Sequence, residues 1–242
     1  MSTAAPKTET PKSAQLHRGP GFRIRNHIER PSAKMVEAYS QFAAADVSDM
    51  LNRLYTMRPE IKNQTTNTPI CGPATTVKCY PGDNLMVHKV LDVAKPGDVL
   101  VIDAGSSEMN AIVGDLISTK AQHRGIQAFI VDGLIRDVED IRAINFPVFA
   151  RGITPIGPLH RGPGEINFPV CCGGIVVNPG DLVVGDSDGV VVVRQDFAED
   201  TLERLTRQKQ NSAGYEENVK KGIFNNDWVD VALESAGCVN VD

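Results

Sequence analysis

The sequence predicts one α/β domain with helical additions at its ends. Three observations lead there. From residue 70 onward, short apolar runs alternate with stretches of helical spacing. The run IQAFIV (126–131) has no polar alternation apart from Gln127, the pattern of a strand covered on both faces. No linker interrupts the chain after residue 70.

Residues 1–30 read as an irregular, mobile tail. MSTAAPKTETPKSAQ is rich in Pro, Thr, Lys and Ser and lacks the apolar core of a secretory signal. Residues 31–69 hold two short helices. Ser32 caps the first, from about Ala33 to Ala44, with Met35, Val36, Tyr39 and Phe42 as its apolar stripe. Asp46 caps the second, VSDMLNRL, and a polar linker, NQTTNTPI, follows.

The core is expected over 70–195. ATTVKCY (74–80) reads as a strand, and Asp83 starts a helix carrying Leu85, Met86, Val90 and Leu91. KPGDVLVID (95–103) is a turn and a strand. Val113–His123 has helical spacing and stops at Gly125. IQAFIV is the next strand, 137–143 a helix, and PVFARG (147–152) a short strand. From Pro169 the chain turns β-rich, through PVCCGGIVV, LVVGD and SDGVVVV. Pro96-Gly97-Asp98 and Pro179-Gly180-Asp181 are turns, each placed before an apolar strand. Residues 196–242 form a C-terminal helical extension, helical from Phe197 to about Lys221 with a break near Gly214.

Bulk properties narrow the function. The 242 residues suit one large domain, and 41% hydrophobic with 23% charged residues is ordinary for a globular protein. A net charge of −5 argues against a nucleic-acid partner. No run of 18 apolar residues occurs, so no membrane span is expected. The five cysteines form no CxxC pair and read as reduced, structural thiols of a cytoplasmic protein.

Chemistry is sought where charge follows a buried strand. In VDGLIRD (131–137) Arg136 and Asp137 stand side by side just past such a strand. One reading is a surface arginine beside a helix cap. The other gives Arg136 a carboxylate to bind with its planar donor fork, and Asp137 a hard cation such as Mg²⁺ or Mn²⁺. Gly114-Asp115 likewise stands at a helix start. Asp115 either caps the helix or sits beside an anion held by the free amides of Leu116 and Ile117. The five histidines show no paired metal spacing, Ser106-Ser107 lacks a nucleophile-elbow context, and nothing marks Lys78 as a Schiff-base lysine. The glycine-rich pieces are not phosphate loops, and Asp186-Ser187-Asp188-Gly189 reads as a hairpin turn.

GDLISTKAQHRG, VDGLIRD, FPVFARG and NPGDLVVGDSDGVVVV, in this order, resemble the 4-hydroxy-4-methyl-2-oxoglutarate/4-carboxy-4-hydroxy-2-oxoadipate aldolases. That family also contains the regulators of ribonuclease activity A. The likeness covers roughly Ile70 to Val193. It implies a swivelling β/β/α domain, phosphohistidine-domain-like, assembled as a homotrimer or homohexamer. It implies a class II, divalent-metal pyruvate aldolase that also decarboxylates oxaloacetate. By the resemblance, Asp137 is the direct Mg²⁺ (or Mn²⁺) ligand, Asp115 holds a metal-bound water and Arg136 contacts the pyruvyl group. The turn at Gly114 and the amides of Leu116 and Ile117 bind the substrate carboxylate.

Two positions depart from the family. His160, in ITPIGPLH, stands where family members often carry a lysine, and is expected to bind substrate in its place. The family takes a glutamate from the C-terminal helix of a neighbouring subunit; Lys209-Gln210 is the nearest match, with Glu216 and Glu217 beyond it. The alternative reading is a non-catalytic regulator of ribonuclease activity acting by protein–protein binding.

Overall fold

The computed structural model describes residues 15–239 and 241; the part of the expected tail before residue 15 lies outside them. The elements run β1 (Phe22–Ile24), α1 (Ala33–Tyr39), α2 (Ala44–Met50), β2 (Lys62–Asn63), β3 (Ile70–Cys79), α3 (Leu85–Val90), β4 (Val99–Asp103), β5 (Ala111–Val113), α4 (Asp115–His123), β6 (Ala128–Ile135), α5 (Val138–Ala143), β7 (Val148–Ile153), β8 (Gly164–Ile166), β9 (Val170–Cys172), β10 (Ile175–Val177), β11 (Leu182–Asp186), β12 (Gly189–Val193), α6 (Ala198–Lys220) and α7 (Asp227–Ser235).

The sheet is built on parallel strands β3, β4, β6 and β7. Both faces of these strands are buried, and the period of two sorts their side chains into two cores. Leu100, Ile102, Phe129 and Val131 pack with α3, α4 and α5. Their neighbours Val99, Val101, Ala128 and Ile130 pack with residues of the β9–β10 and β11–β12 hairpins, such as Val170, Cys172, Val183 and Val192. The result is a β/β/α arrangement. Strand β3 joins the layers: Ile70–Pro73 pair with β11, and Ala74–Lys78 pair with β4.

Turn chemistry sets the strand entries. In both Pro-Gly-Asp turns the aspartate N–H closes on the carbonyl three residues back, Asp98 on Lys95 and Asp181 on Asn178, each at 3.1 Å. Gly97 and Gly180 take φ of 90° and 87°, open to glycine and strained for other residues. Asp98 does more than turn the chain. It is buried, receives both Nε and Nη2 of Arg30 at 2.8 Å, and accepts from Thr75 Oγ1 at 2.7 Å and the Lys95 amide at 2.8 Å.

Several boundaries differ from the sequence reading. Within the segment expected to be irregular, Phe22–Ile24 pairs with β8. Helix α1 carries the expected Ser32 cap, whose Oγ accepts the Met35 amide at 3.2 Å, but ends at Tyr39. Helix α2 begins at Ala44, ahead of Asp46, because Asp186 accepts the Ala44 amide at 2.8 Å. The polar linker is fastened: Asn63 pairs in β2, and buried Thr65 donates to the Phe146 carbonyl at 2.7 Å. Val113 belongs to β5 and not to the following helix. Cys171 is exposed and Cys172 buried, as strand alternation requires, and all five cysteines are free thiols.

The described residues divide into two compact units, one ending at Leu202 and the other starting at Glu203. Helix α6 runs through Gly214 without the expected break. No helix among the described residues is long and apolar enough to cross a membrane.

Candidate active site

Strand β6 delivers the site. It continues past the expected stop at Asp132-Gly133 to Ile135, because β5 pairs with Leu134 and Ile135. Gly133 permits this: a Cβ there would lie 3.0 Å from the Cβ of Ala104. Arg136 therefore stands directly at the strand's end, its amide bound to the Val113 carbonyl at 3.1 Å.

Asp137 occupies the N-cap position of α5 in the left-handed conformation, φ 56° and ψ 38°, which aspartate tolerates better than most residues. It makes no side-chain cap. Instead its Oδ2 lies 3.2 Å from Arg136 Nε and against Gly114, the N-cap residue of α4. The plain reading of Asp137 as a helix cap is thereby corrected. The same holds for Asp115. Gly114 takes the cap position, so Asp115 is the first residue inside the helix. Gly114 is held from the helix side, its carbonyl accepting Ser118 Oγ at 2.8 Å and Ser118 N–H at 3.1 Å.

One cavity of about 420 Å³ collects these groups. Gly114, Asp115, Leu116, Ile117, Arg136, Asp137 and His160, read from three separate stretches of sequence, all line it. Leu116 is 72% exposed, unusual for a leucine at the mouth of a helix and consistent with an open rim. Gly157 borders Arg136 closely, since a Cβ there would sit 2.7 Å from Nη1. Sequence reasoning missed two further lining residues with polar side chains, Asn84 and His88. Asn84 is buried, donates to the Ile112 carbonyl at 2.8 Å and meets His160 Nδ1 at 2.6 Å. The rings of His88 and His160 are 5.4 Å apart, edge to face. Partial burial, then His160 and Lys120, lower the pKa of His88 below the usual imidazole value. Gln210, Glu216 and Glu217 lie on α6 in the second compact unit, where Glu216 accepts from Ser212 and Glu217 from Lys221.

Among the described residues no group of three or more His, Cys, Asp or Glu side chains gathers as a ligand set. Two carboxylates, Asp115 and Asp137, on one cavity wall suit a different class: a hard cation that takes one or two protein oxygens and keeps its remaining positions for water or ligand.

The family model RraA-like (Aldolase/RraA) matches residues 44–192. The chain belongs to this family. A protein of Halalkalibacterium halodurans, provisionally named a 4-hydroxy-4-methyl-2-oxoglutarate aldolase, is 40% identical over 178 residues, 74% of this chain and 85% of the relative. Among solved structures, an uncharacterized protein of Pseudomonas syringae pv. tomato superposes with TM-score 0.73 at 27% identity, covering 80% of this chain and 92% of the neighbour. Streptomyces coelicolor RraAS2, described as an unusual member of the RNase ES inhibitor RraA protein family, gives 0.72 at 28% identity, covering 78% and 99%. The RraA-like match includes every residue lining the cavity, from Asn84 to His160.

Tight packing at Gly114 yields a test. A Cβ there would overlap the Asp137 carboxylate and press on Arg136. Gly114→Ala is expected to fold, because a displaced Asp137 side chain can turn toward solvent, and to lose at least about ten-fold in kcat/KM through misplacement of the charged pair. Unchanged turnover would show that the contact does not matter.

Proposed function

We propose that the protein is a divalent-metal-dependent lyase that cleaves 4-hydroxy-2-oxo acids to pyruvate and also decarboxylates oxaloacetate. The observation that carries this reading is the convergence of the Arg136–Asp137 pair, Asp115 and the α4 N-terminus on one cavity. The aldolase name of the 40% identical relative supports it.

A Mg²⁺ or Mn²⁺ ion held by Asp137, with Asp115 supporting a bound water, would supply Lewis-acid charge beside the 2-oxo acid. The chain's own groups do the rest. Amides of Leu116 and Ile117, in the first turn of α4, donate to the substrate carboxylate at the positive end of the helix. Arg136 faces the 2-oxo oxygen. In cleavage the C4 hydroxyl passes its proton to water in the cavity and becomes a carbonyl, the C3–C4 bond breaks, and its electrons move to the 2-oxo oxygen as pyruvate enolate. Arg136 stabilises that developing charge with a donor already in place. Protonation at C3 releases pyruvate. Loss of CO₂ from oxaloacetate leaves the same enolate, so one site serves both reactions.

The competing reading, a regulator of ribonuclease activity working by protein–protein binding, draws on the Streptomyces neighbour. The Arg136–Asp137 pair, set on one cavity with Asp115, favours the enzyme, because an adaptor has no evident need for it. We place the enzyme in the cytoplasm as a homotrimer or homohexamer.

The experiment is pyruvate release from 4-hydroxy-4-methyl-2-oxoglutarate. Release is expected with Mg²⁺ or Mn²⁺, should vanish with EDTA and return on adding metal. No release with metal present would overturn the proposal.

A further inference from the structure

The segment carrying His160 is fastened to the start of α3. Leu159 N–H donates to the Gly82 carbonyl at 2.8 Å, and Asn84 N–H to the Leu159 carbonyl at 3.0 Å. Buried Asp83 accepts the amides of Arg161 and Gly162, the latter at 2.7 Å. The ring is therefore held by its backbone on both sides.

Asn84 then fixes the proton on that ring. Its Nδ2 donates to the Ile112 carbonyl, which can only accept. The amide cannot turn over without setting oxygen against oxygen, so Oδ1 faces His160. Nδ1 of His160 must carry the hydrogen. In the neutral ring this leaves Nε2 as a bare acceptor. His160 is exposed on the cavity, and its segment borders Arg136 through Gly157. A substrate gripped at its pyruvyl end by Arg136 shares one cavity with His160.

We propose that Asn84 is a positioning residue that locks His160 in the Nδ1–H tautomer, and that His160 Nε2 selects 4-hydroxy-2-oxo acids with a hydroxyl at the distal end over those with a second carboxylate. A hydroxyl donates to Nε2. A carboxylate sets an acceptor against an acceptor, a mismatch worth roughly ten-fold or more in selectivity. The substrate half rests on the proposed cleavage reaction; the tautomer half does not.

The test compares 4,5-dihydroxy-2-oxopentanoate with 4-hydroxy-2-oxoglutarate, which differ only in the distal group. At about pH 8.5, above the usual imidazole range, the protein with Mg²⁺ should favour the hydroxymethyl substrate in kcat/KM by about ten-fold. His160→Lys, with a fixed positive charge, should reverse the preference. A wild-type preference for the carboxylate, or a ratio unmoved in His160→Lys, overturns the selection. The tautomer is read separately from ¹⁵N imidazole spectra at the same pH, with His160 assigned by its loss in His160→Lys. Protonated Nδ1 and free Nε2 are expected, giving way to mixed tautomers in Asn84→Ala. A proton on Nε2 in the wild type overturns the positioning role. Pyruvate from neither substrate defeats the cleavage reading and the selection together, while the spectrum still decides the tautomer.

Discussion

Arg136→Ala is expected to leave the fold intact and to reduce kcat for pyruvate release by two to three orders of magnitude. The size follows from what one preorganised donor to a developing oxyanion supplies, about 3–4 kcal/mol of barrier. The intact fold follows from position. The Arg136 side chain is 43% exposed and its partner Asp137 33%, and an ion pair that open contributes about 0–1 kcal/mol to stability. Arg136→Lys should recover only part of the rate, since an ammonium keeps the charge and loses the planar fork. Steady-state kinetics beside a thermal melt separates the effects. An Arg136→Ala protein with wild-type turnover would remove Arg136 from the chemistry.

The largest stability effect is expected outside the residues that line this cavity, at Asp98. Its carboxylate is 1% exposed and holds Arg30, itself only 16% exposed, through two parallel hydrogen bonds. Thr75 and the Lys95 amide use the same carboxylate. Asp98→Ala strands a buried guanidinium and two donors at once. Breaking one partner of such a pair costs about 3–5 kcal/mol. Urea unfolding should show a lowered midpoint with an unchanged slope. The double variant Arg30→Met, Asp98→Leu should lose much less, because replacing both charges removes the unpaired one. A double variant as unstable as Asp98→Ala would show that the ion pair is not the source of the loss.

Asp98 also marks what one sequence can and cannot tell. Its turn was legible, since Pro-Gly-Asp before an apolar run has few other uses. Its partner was not, because Arg30 lies 68 positions earlier in a stretch with no periodicity. The α/β fold was legible because buried strands between helical periods leave few other layouts. Strand ends were harder. Asp132-Gly133 carries every local sign of a turn, yet β6 passes through it, because β5 pairs beyond the glycine. At the site, the apolar run before them placed Arg136 and Asp137 after a strand, and the family likeness supplied the expected roles. The left-handed turn that swings Asp137 from its own helix to Gly114 leaves no trace in residue order. Asn84 left none either: a buried asparagine reads as polar surface until its contact 76 positions away is known.

We infer that Asp137, with Arg136, makes this cavity a metal-dependent site for 2-oxo acids. The most direct measurement is pyruvate formation from oxaloacetate by the wild type and Asp137→Ala, each with Mg²⁺, Mn²⁺ or EDTA, against metal alone. Release is expected well above the metal-only rate, abolished by EDTA and absent in Asp137→Ala. Release that survives in Asp137→Ala, or that never exceeds the metal-only rate, would contradict it.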